Sequence, residues 1–265
     1  MPKVRLCIAQ TEPVWNCPEE NMDKAASLAR SASDLNAGII LFPEQSATGW
    51  DPLSKDYATD DFGYIPETFQ KIAKENKIAV LGSFREKSKG LLKNTSVFFD
   101  DSGKLLAKYS KIHLFTPGCE NECFSPGEKP AVFTYKGIKF GLCVCYDLRF
   151  PELFTFYAKA GCECILLQAA WPCARMKHWD IFIHSRAIEN QYYVAGVNTT
   201  GKTPVDTYCG KSLVVSPLGE NICEADSAEG LFFAEIDTSH VKEARGGISS
   251  LSDRREDLYI GWSRD

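Results

Sequence analysis

KFGLCVCYDLRFPE, residues 139–152, decides how the rest of the chain is read. Its first half alternates, with Phe140, Leu142 and Val144 on one side, the pattern of a strand. Its second half runs into Pro151, suited to the first turn of a helix, and then the apolar ELFTFYAKA. Cys145 therefore falls where a strand has stopped and a helix has not begun. Such corners expose a side chain and free backbone N–H groups at the carboxyl edge of a sheet. A cysteine is also a common buried hydrophobe, the role expected of Cys143 inside the strand, so Cys145 alone is either a nucleophile or packing.

Working outward, the same alternation recurs. Val4 to Ala9 reads as a strand and Asn21 to Ala32 as a helix, with Asn21 in the capping position. Ala37 to Phe42 is a continuous apolar run, as in a strand buried on both faces, and it stops at Pro43-Glu44. Glu67 to Lys77 reads as a helix and Ile78 to Phe84 as a strand. Asn94 to Phe99 and Lys104 to Tyr109 flank a hairpin turn at Asp101-Ser102-Gly103. Lys111 follows that strand, and 116–130 is a loop carrying Glu120 and Glu122. Beyond the central segment come a strand at Glu163 to Leu167, a helix at Met176 to Glu189 and a strand at Tyr192 to Val197. Lys211 to Val215 and Gly230 to Ile236 close around a second turn at Pro217-Leu218-Gly219. The tail, 244–265, brings Leu258, Tyr259, Ile260 and Trp262 together as an apolar patch suited to docking, for instance on a second subunit. One α/β domain over 1–265 is expected, with helices outside the sheet.

Composition narrows the partners. Of 265 residues, 30 are basic and 35 acidic, a net charge of −5 without a basic block, which argues against nucleic acid or a membrane surface. The opening MPKVRLCIAQTEP has the pattern of a short strand and not of a signal peptide, and no run approaches the ~20 apolar residues of a membrane span. A soluble cytoplasmic protein is expected, its eleven cysteines reduced. Cys143/Cys145 and Cys162/Cys164 are C-x-C pairs in strand-like runs, where packing explains them. Without C-x-x-C or H-E-x-x-H, no metal is expected.

Three segments taken together, LFPE with Glu44, YSKIHLF with Lys111 and GLCVCYDLRFPE with Cys145, resemble the signature stretches of the nitrilase (carbon–nitrogen hydrolase) superfamily in order and spacing. The resemblance covers nearly the whole chain. It implies a four-layer α-β-β-α sandwich, a homodimer paired through helices, and a Glu–Lys–Cys triad at Glu44, Lys111 and Cys145. It also implies a second glutamate between Lys and Cys, which Glu120 matches better than Glu122 by its distance from Ser125-Pro126-Gly127. The chemistry is coherent. A thiol of free pKa about 8.5 needs a base to become a nucleophile, and a desolvated Glu44 fits that role. Lys111 and the Tyr146 N–H would meet the developing oxyanion. No metal or organic cofactor enters such a mechanism.

Further segments, CYDLRFPELF, AAWP, KHWD, SRAIENQ and YVAGVN, resemble the omega-amidase branch. That branch hydrolyses the terminal amide of 2-oxoglutaramate or 2-oxosuccinamate, so the pocket should hold a cation for the α-carboxylate. Arg149 and Arg175 are the candidates; pairing of Arg149 with Asp147 or Glu152 is the competing role. Tyr146 and Trp171 would wall the pocket, Trp171 serving equally as core. The sequence leaves open an amidase for N-carbamoyl amino acids or deaminated glutathione, and an inactive binding protein of this fold. It also leaves a papain-like pairing of the cysteine with one of the four histidines, and a Cys143/Cys145 thiol switch. Tyr146 after the cysteine departs from the Trp-containing pattern usual in true nitrilases.

Overall fold

The period-2 and period-3.6 segments resolve into two sheets packed face to face, with helices on both outer sides, in a computed structural model describing residues 1–60, 62–248 and 250–262. The first half supplies β1 (Lys3–Gln10), α1 (Pro18–Asp34), β2 (Ile39–Leu41), α2 (Tyr64–Asn76), β3 (Ala79–Ser88), β4 (Leu91–Phe99) and β5 (Leu105–Ser110). After the short α3 (Glu120–Cys123) come β6 (Val132–Tyr135), β7 (Ile138–Val144), α4 (Pro151–Lys159), β8 (Cys164–Ala169), α5 (Met176–Asn190) and β9 (Tyr193–Asn198). The remainder is β10 (Thr200–Lys202), β11 (Thr207–Cys209), β12 (Leu213–Val215), β13 (Asn221–Glu224), β14 (Gly230–Asp237), α6 (Thr238–Gly247) and α7 (Glu256–Trp262).

One sheet has the order β14-β1-β2-β3-β4-β5 and the other β13-β12-β9-β8-β7-β6; β10 and β11 form a separate ribbon. Alternation sorts the side chains. Leu6 and Ile8 of β1, Leu81 of β3, and Phe140, Leu142 and Val144 of β7 meet in the core between the sheets. Cys7 and Ala9 face α1 and α2 on one outside, and Cys143 and Leu167 face α4 and α5 on the other. This is the α-β-β-α sandwich expected. Within the inner core Phe98 packs against Phe133, Tyr135 and Phe140, with ring centroids 4.5, 5.6 and 6.5 Å away. Polar ties cross between the sheets as well: buried Gln168 of β8 accepts from Ser96 Oγ (2.5 Å) and donates to the Phe42 carbonyl (2.6 Å).

Two local expectations are corrected. Asn21 lies inside α1, which starts earlier because Pro18 takes its first turn. The Asn21 amide instead ties Val14 (2.8 and 2.7 Å) and the Ala47 carbonyl (2.9 Å) together. The turn at Pro217-Leu218-Gly219 joins β12 to β13, a short edge strand whose polar ends hid it, and β14 crosses to pair with all of β1. The ribbon of β10 and β11 carries no periodic signal, its strands being three residues each. No helix among the described residues is long and apolar enough to cross a membrane. Of the apolar tail, Leu258 is exposed and Tyr259 packs on Arg254 (5.3 Å); the side chains of Ile260 and Trp262 lie outside the described residues.

Phe98→Ala should cost about 3–5 kcal/mol, since it empties the centre of the inner core. Urea denaturation will read this, and an unchanged midpoint would show that the two sheets do not depend on that ring.

Candidate active site

Glu44, Lys111 and Cys145 each sit just past a strand. β2 ends at Leu41, Pro43 breaks it, and Glu44 follows, fully buried. Lys111 follows β5 and is also fully buried, its N–H bonded to the Asn94 carbonyl (2.8 Å) and its carbonyl accepting from Gly127 N (2.8 Å). Gly127 can approach this closely because a Cβ there would collide with the Ser110 carbonyl. Glu120 opens α3, and its Oε2 accepts from the Phe115 N–H (2.7 Å), while Glu122, on the same turn, is exposed.

These groups converge. Lys111 Nζ lies 2.9 Å from Glu44 Oε1 and 2.9 Å from Glu120 Oε2, with all three side chains inaccessible to solvent. Asn94 Nδ2 donates to both carboxylates, at 2.7 Å to Glu44 and 3.0 Å to Glu120. The second oxygen of Glu44 accepts from the Ala170 N–H at 3.0 Å. Burial raises the Glu44 carboxyl above the ordinary range, Lys111 pulling against it and the charge of Glu120 adding to it. Burial acts on Glu120 in the same sense, but Lys111 and the Phe115 N–H outweigh it and hold this carboxyl low. Desolvation opposes the charge on Lys111, yet Glu120 and Glu44 together raise its pKa, so it stays an ammonium. Two adjacent carboxyls are thus driven apart, the higher fit to take and return a proton.

Cys145 arrives from the other sheet. It follows β7 with φ +47°, a left-handed conformation uncommon for residues other than glycine, and turns the chain into a short 3₁₀ helix, Cys145–Arg149. Burial, then the charge of Glu44, pushes its thiol well up, countered by Lys111 and the Ala170 N–H. The resting group is therefore a protonated thiol beside a base. Asp147 locks this turn. Its Oδ2 accepts from Val144 N (2.9 Å) and the Tyr109 hydroxyl (2.6 Å), and its Oδ1 from His113 N (3.0 Å) and lies 2.8 Å from the His113 ring. His113, stacked on Phe150 at 3.7 Å, is thereby a structural partner of Asp147.

Cys145 lines a cleft with ≈ 400 Å³ of empty volume including its mouth, walled by Trp50, Phe115, Tyr146, Trp171 and Tyr208. All four residues expected to meet substrate, Tyr146, Arg149, Trp171 and Arg175, line it too. Trp171 is at the same time core, buried against Trp179 (5.7 Å). Arg149 pairs with neither Asp147 nor Glu152. Its guanidinium lies over Trp171 (4.8 Å) and Tyr146 (5.8 Å) and beside His178 Nδ1 (3.3 Å). Arg175 lies over Phe115 (5.2 Å), 4.0 Å from Asp206. Among the described residues no histidine lines the cleft, and no group of three His, Cys, Asp or Glu is arranged to hold a metal.

Several participants escaped the sequence reading. Asn94 is a lone amide within a strand and Ala170 contributes only backbone, so neither carries a side-chain signal. Asp206 and Tyr208 lie in the unread ribbon. The expectation of eleven reduced cysteines also fails: Cys173, beside Pro172, is bonded to Cys209, beside Tyr208, with Cα atoms 5.1 Å apart. Two residues 36 apart in sequence gave no hint of that pairing.

Comparison with known proteins agrees with this geometry. The carbon-nitrogen hydrolase family model matches residues 5–246. The chain is 33% identical to 2-oxoglutaramate amidase of Bacillus subtilis, over 91% of this chain and 94% of that one. It is 34% identical to omega-amidase NIT2 of Bos taurus, over 98% of both. Among solved structures, XC1258 of Xanthomonas campestris, a CN-hydrolase superfamily protein with an arsenic adduct in its active site, superposes with a TM-score of 0.91. It is 27% identical, and the match covers 97% of this chain and 98% of that one.

Asp147→Ala should destabilise the fold by about 2–4 kcal/mol, because it strands buried donors of Tyr109, Val144 and His113. Denaturant titration measures this; a loss under about 0.5 kcal/mol would show the Cys145 turn to be held otherwise.

Proposed function

From the membership of this chain in the carbon–nitrogen hydrolase family, we propose that it is a thiol amidase for small, carboxylate-bearing amides, using Glu44, Lys111, Cys145 and Glu120. The observation that carries the substrate class is the cleft beside Cys145, lined by Arg149 and Arg175 with no carboxylate ion-paired to Arg149 among the described residues. Burial lowers the Arg149 pKa, and the like charge of Arg175 lowers it further. Two neighbouring guanidiniums in an aromatic cleft favour an anionic guest. The similarity to 2-oxoglutaramate amidase and omega-amidase supports 2-oxoglutaramate or 2-oxosuccinamate as that guest, yielding the 2-oxo acid and ammonia.

The mechanism follows from the assigned roles. Cys145 Sγ attacks the amide carbon as its proton passes to Glu44. The oxyanion is met by Lys111 and by the Tyr146 N–H, which, at the start of a helical turn, has no intrahelical acceptor. Glu44 gives the proton to the departing nitrogen, ammonia leaves, and a thioester remains. Glu44 then takes a proton from water, the hydroxide adds to the thioester, and the proton returns to sulfur as the acid departs. Glu120, held ionised, positions Lys111 and Asn94 against Glu44. Trp171 and Tyr146 wall the substrate.

A single domain over 1–265, working as a cytoplasmic homodimer, belongs to the same proposal. Phe156 on α4 and Ile181 and Ile188 on α5 are exposed on the outer helices, as a helix-paired dimer would use.

Ammonia release should be rapid with 2-oxoglutaramate and 2-oxosuccinamate, and absent with an aliphatic nitrile or with the Cys145→Ala and Glu44→Gln proteins. Turnover of only an N-carbamoyl amino acid would keep the triad and overturn the substrate. The pH profile carries a sign as well. Glu44 must be ionised to act, and burial raises its pKa, so the acid limb of kcat/KM should lie above the ordinary glutamate value. A limb at or below about pH 4.3 would exclude Glu44 as the base.

A further inference from the structure

The cleft contains two buried polar atoms without a hydrogen-bond partner of sound geometry among the described residues. Tyr208, 4% exposed, and Trp50, 9% exposed, pack with Ala170 and line the cleft beside Cys145. Among the described residues, neither the Tyr208 hydroxyl nor the Trp50 indole N–H has a hydrogen-bond partner. Buried polar groups in native proteins are paired. An unpaired hydroxyl in the wall of a binding cleft therefore marks where a ligand atom belongs. Thr203 lies close enough to lower the phenol's pKa slightly, but its hydroxyl is engaged with the Asp206 carbonyl (3.4 Å) and with the Val205 and Asp206 N–H groups (3.2 and 3.3 Å). Burial, followed by the charges of Glu44 and Asp206, holds the phenol well above its ordinary value, so it is a donor at any working pH.

Tyr208 is also firmly placed. It bridges to Pro172 across the cleft mouth, and its neighbour Cys209 is bonded to Cys173, two residues before Arg175. It lines the same cleft as Cys145 and Arg175, and the charges of Glu44 and Asp206 both act on it. Its bridge to Pro172 sets it beside the segment that bears Arg175, in the cleft that also holds Cys145. The scissile carbonyl is already served by Lys111 and the Tyr146 N–H, so that oxygen leaves Tyr208 without a role. Trp50 packs near Lys111, whose ammonium is 5.9 Å from its ring.

Resting on the carboxylate-amide reading, we propose that Tyr208 is a substrate-binding residue whose hydroxyl donates to an acceptor oxygen carried beyond the scissile amide. It thereby selects amides bearing a 2-oxo or carboxylate oxygen over plain aliphatic amides. The pairing completes when substrate enters and is missing for a substrate without that oxygen, the arrangement by which enzymes reject analogues lacking one polar group.

Tyr208→Phe tests this with little risk to folding, since it keeps the ring and removes only an unpaired hydroxyl. The variant and the unsubstituted protein would be assayed on 2-oxoglutaramate, on glutaramate, which lacks the 2-oxo group, and on pentanamide, which lacks both. We expect KM for 2-oxoglutaramate to rise about tenfold with kcat much less affected. Pentanamide turnover should stay within about twofold, and the thermal midpoint should not fall. A loss confined to 2-oxoglutaramate assigns the acceptor to the 2-oxo oxygen, and a loss on both acids assigns it to the carboxylate; either supports the inference. Equal loss on all three amides, or loss on none, overturns it. If the unsubstituted protein turns over neither acid, the substrate reading itself fails and takes this inference with it, a result visible without the variant.

Discussion

A fully buried ammonium needs carboxylates around it, and the rest of this molecule is arranged to supply them. Lys111 is held at 2.9 Å by both Glu44 and Glu120, with Asn94 bonded to both acids. Removing three charges from water costs several kcal/mol each, offset only by close geometry and satisfied hydrogen bonds. The requirement fixes where the strands must end, because each charge has to leave an apolar strand at one point in space. It also sets the chemistry. Two carboxyls sharing one cation cannot have equal proton affinity, and Glu44, whose pKa burial and the neighbouring charge of Glu120 raise, is the one suited to carry a proton.

The second constraint is that the site lies on a seam. Glu44 and Lys111 come from one sheet, Cys145 and the Ala170 N–H from the other. Any shear between the sheets would separate the thiol from its base. Two buried polar ties oppose this, Tyr109 to Asp147 at 2.6 Å and Ser96 to Gln168 at 2.5 Å, each joining a strand of one sheet to an element of the other. Both are buried, where a hydrogen bond is most expensive to break. The aromatic packing around Phe98 gives the sheets their attraction, and these ties give them their alignment.

Much of this was legible before any coordinates. Strand ends are marked by a change from apolar to charged residues, and Glu44, Lys111 and Cys145 each stand at such a change. Three of them in family order pointed to one site. What the sequence could not convey was whatever depends on contact between distant segments. Asn21 has the chemistry of a cap but lies within α1, because Pro18 starts the helix first. Arg149 is flanked by two acids in sequence, yet its fixed direction takes it to Trp171 instead. The ribbon carrying Asp206, Tyr208 and Cys209 is too short for any periodicity to register. Backbone donors such as the Ala170 N–H have no letter of their own.

The pairing of β14 with β1 has a consequence for synthesis of the chain. The first strand completed, Lys3–Gln10, finds its antiparallel neighbour only at Gly230–Asp237, across its full eight residues. Gln10 is likewise satisfied late, by Ser212, Asp226 and Ala228. At roughly 5–20 residues per second, the ribosome leaves that edge uncovered for on the order of ten seconds or more. During that interval a nascent chain presents an open strand flanked by apolar surface, a template for pairing with other chains. The ordered sheet, and with it a working site, is therefore a property of the nearly finished polypeptide. Truncation near the carboxyl end should be felt at the amino end, more than two hundred residues away in sequence and one hydrogen bond away in space.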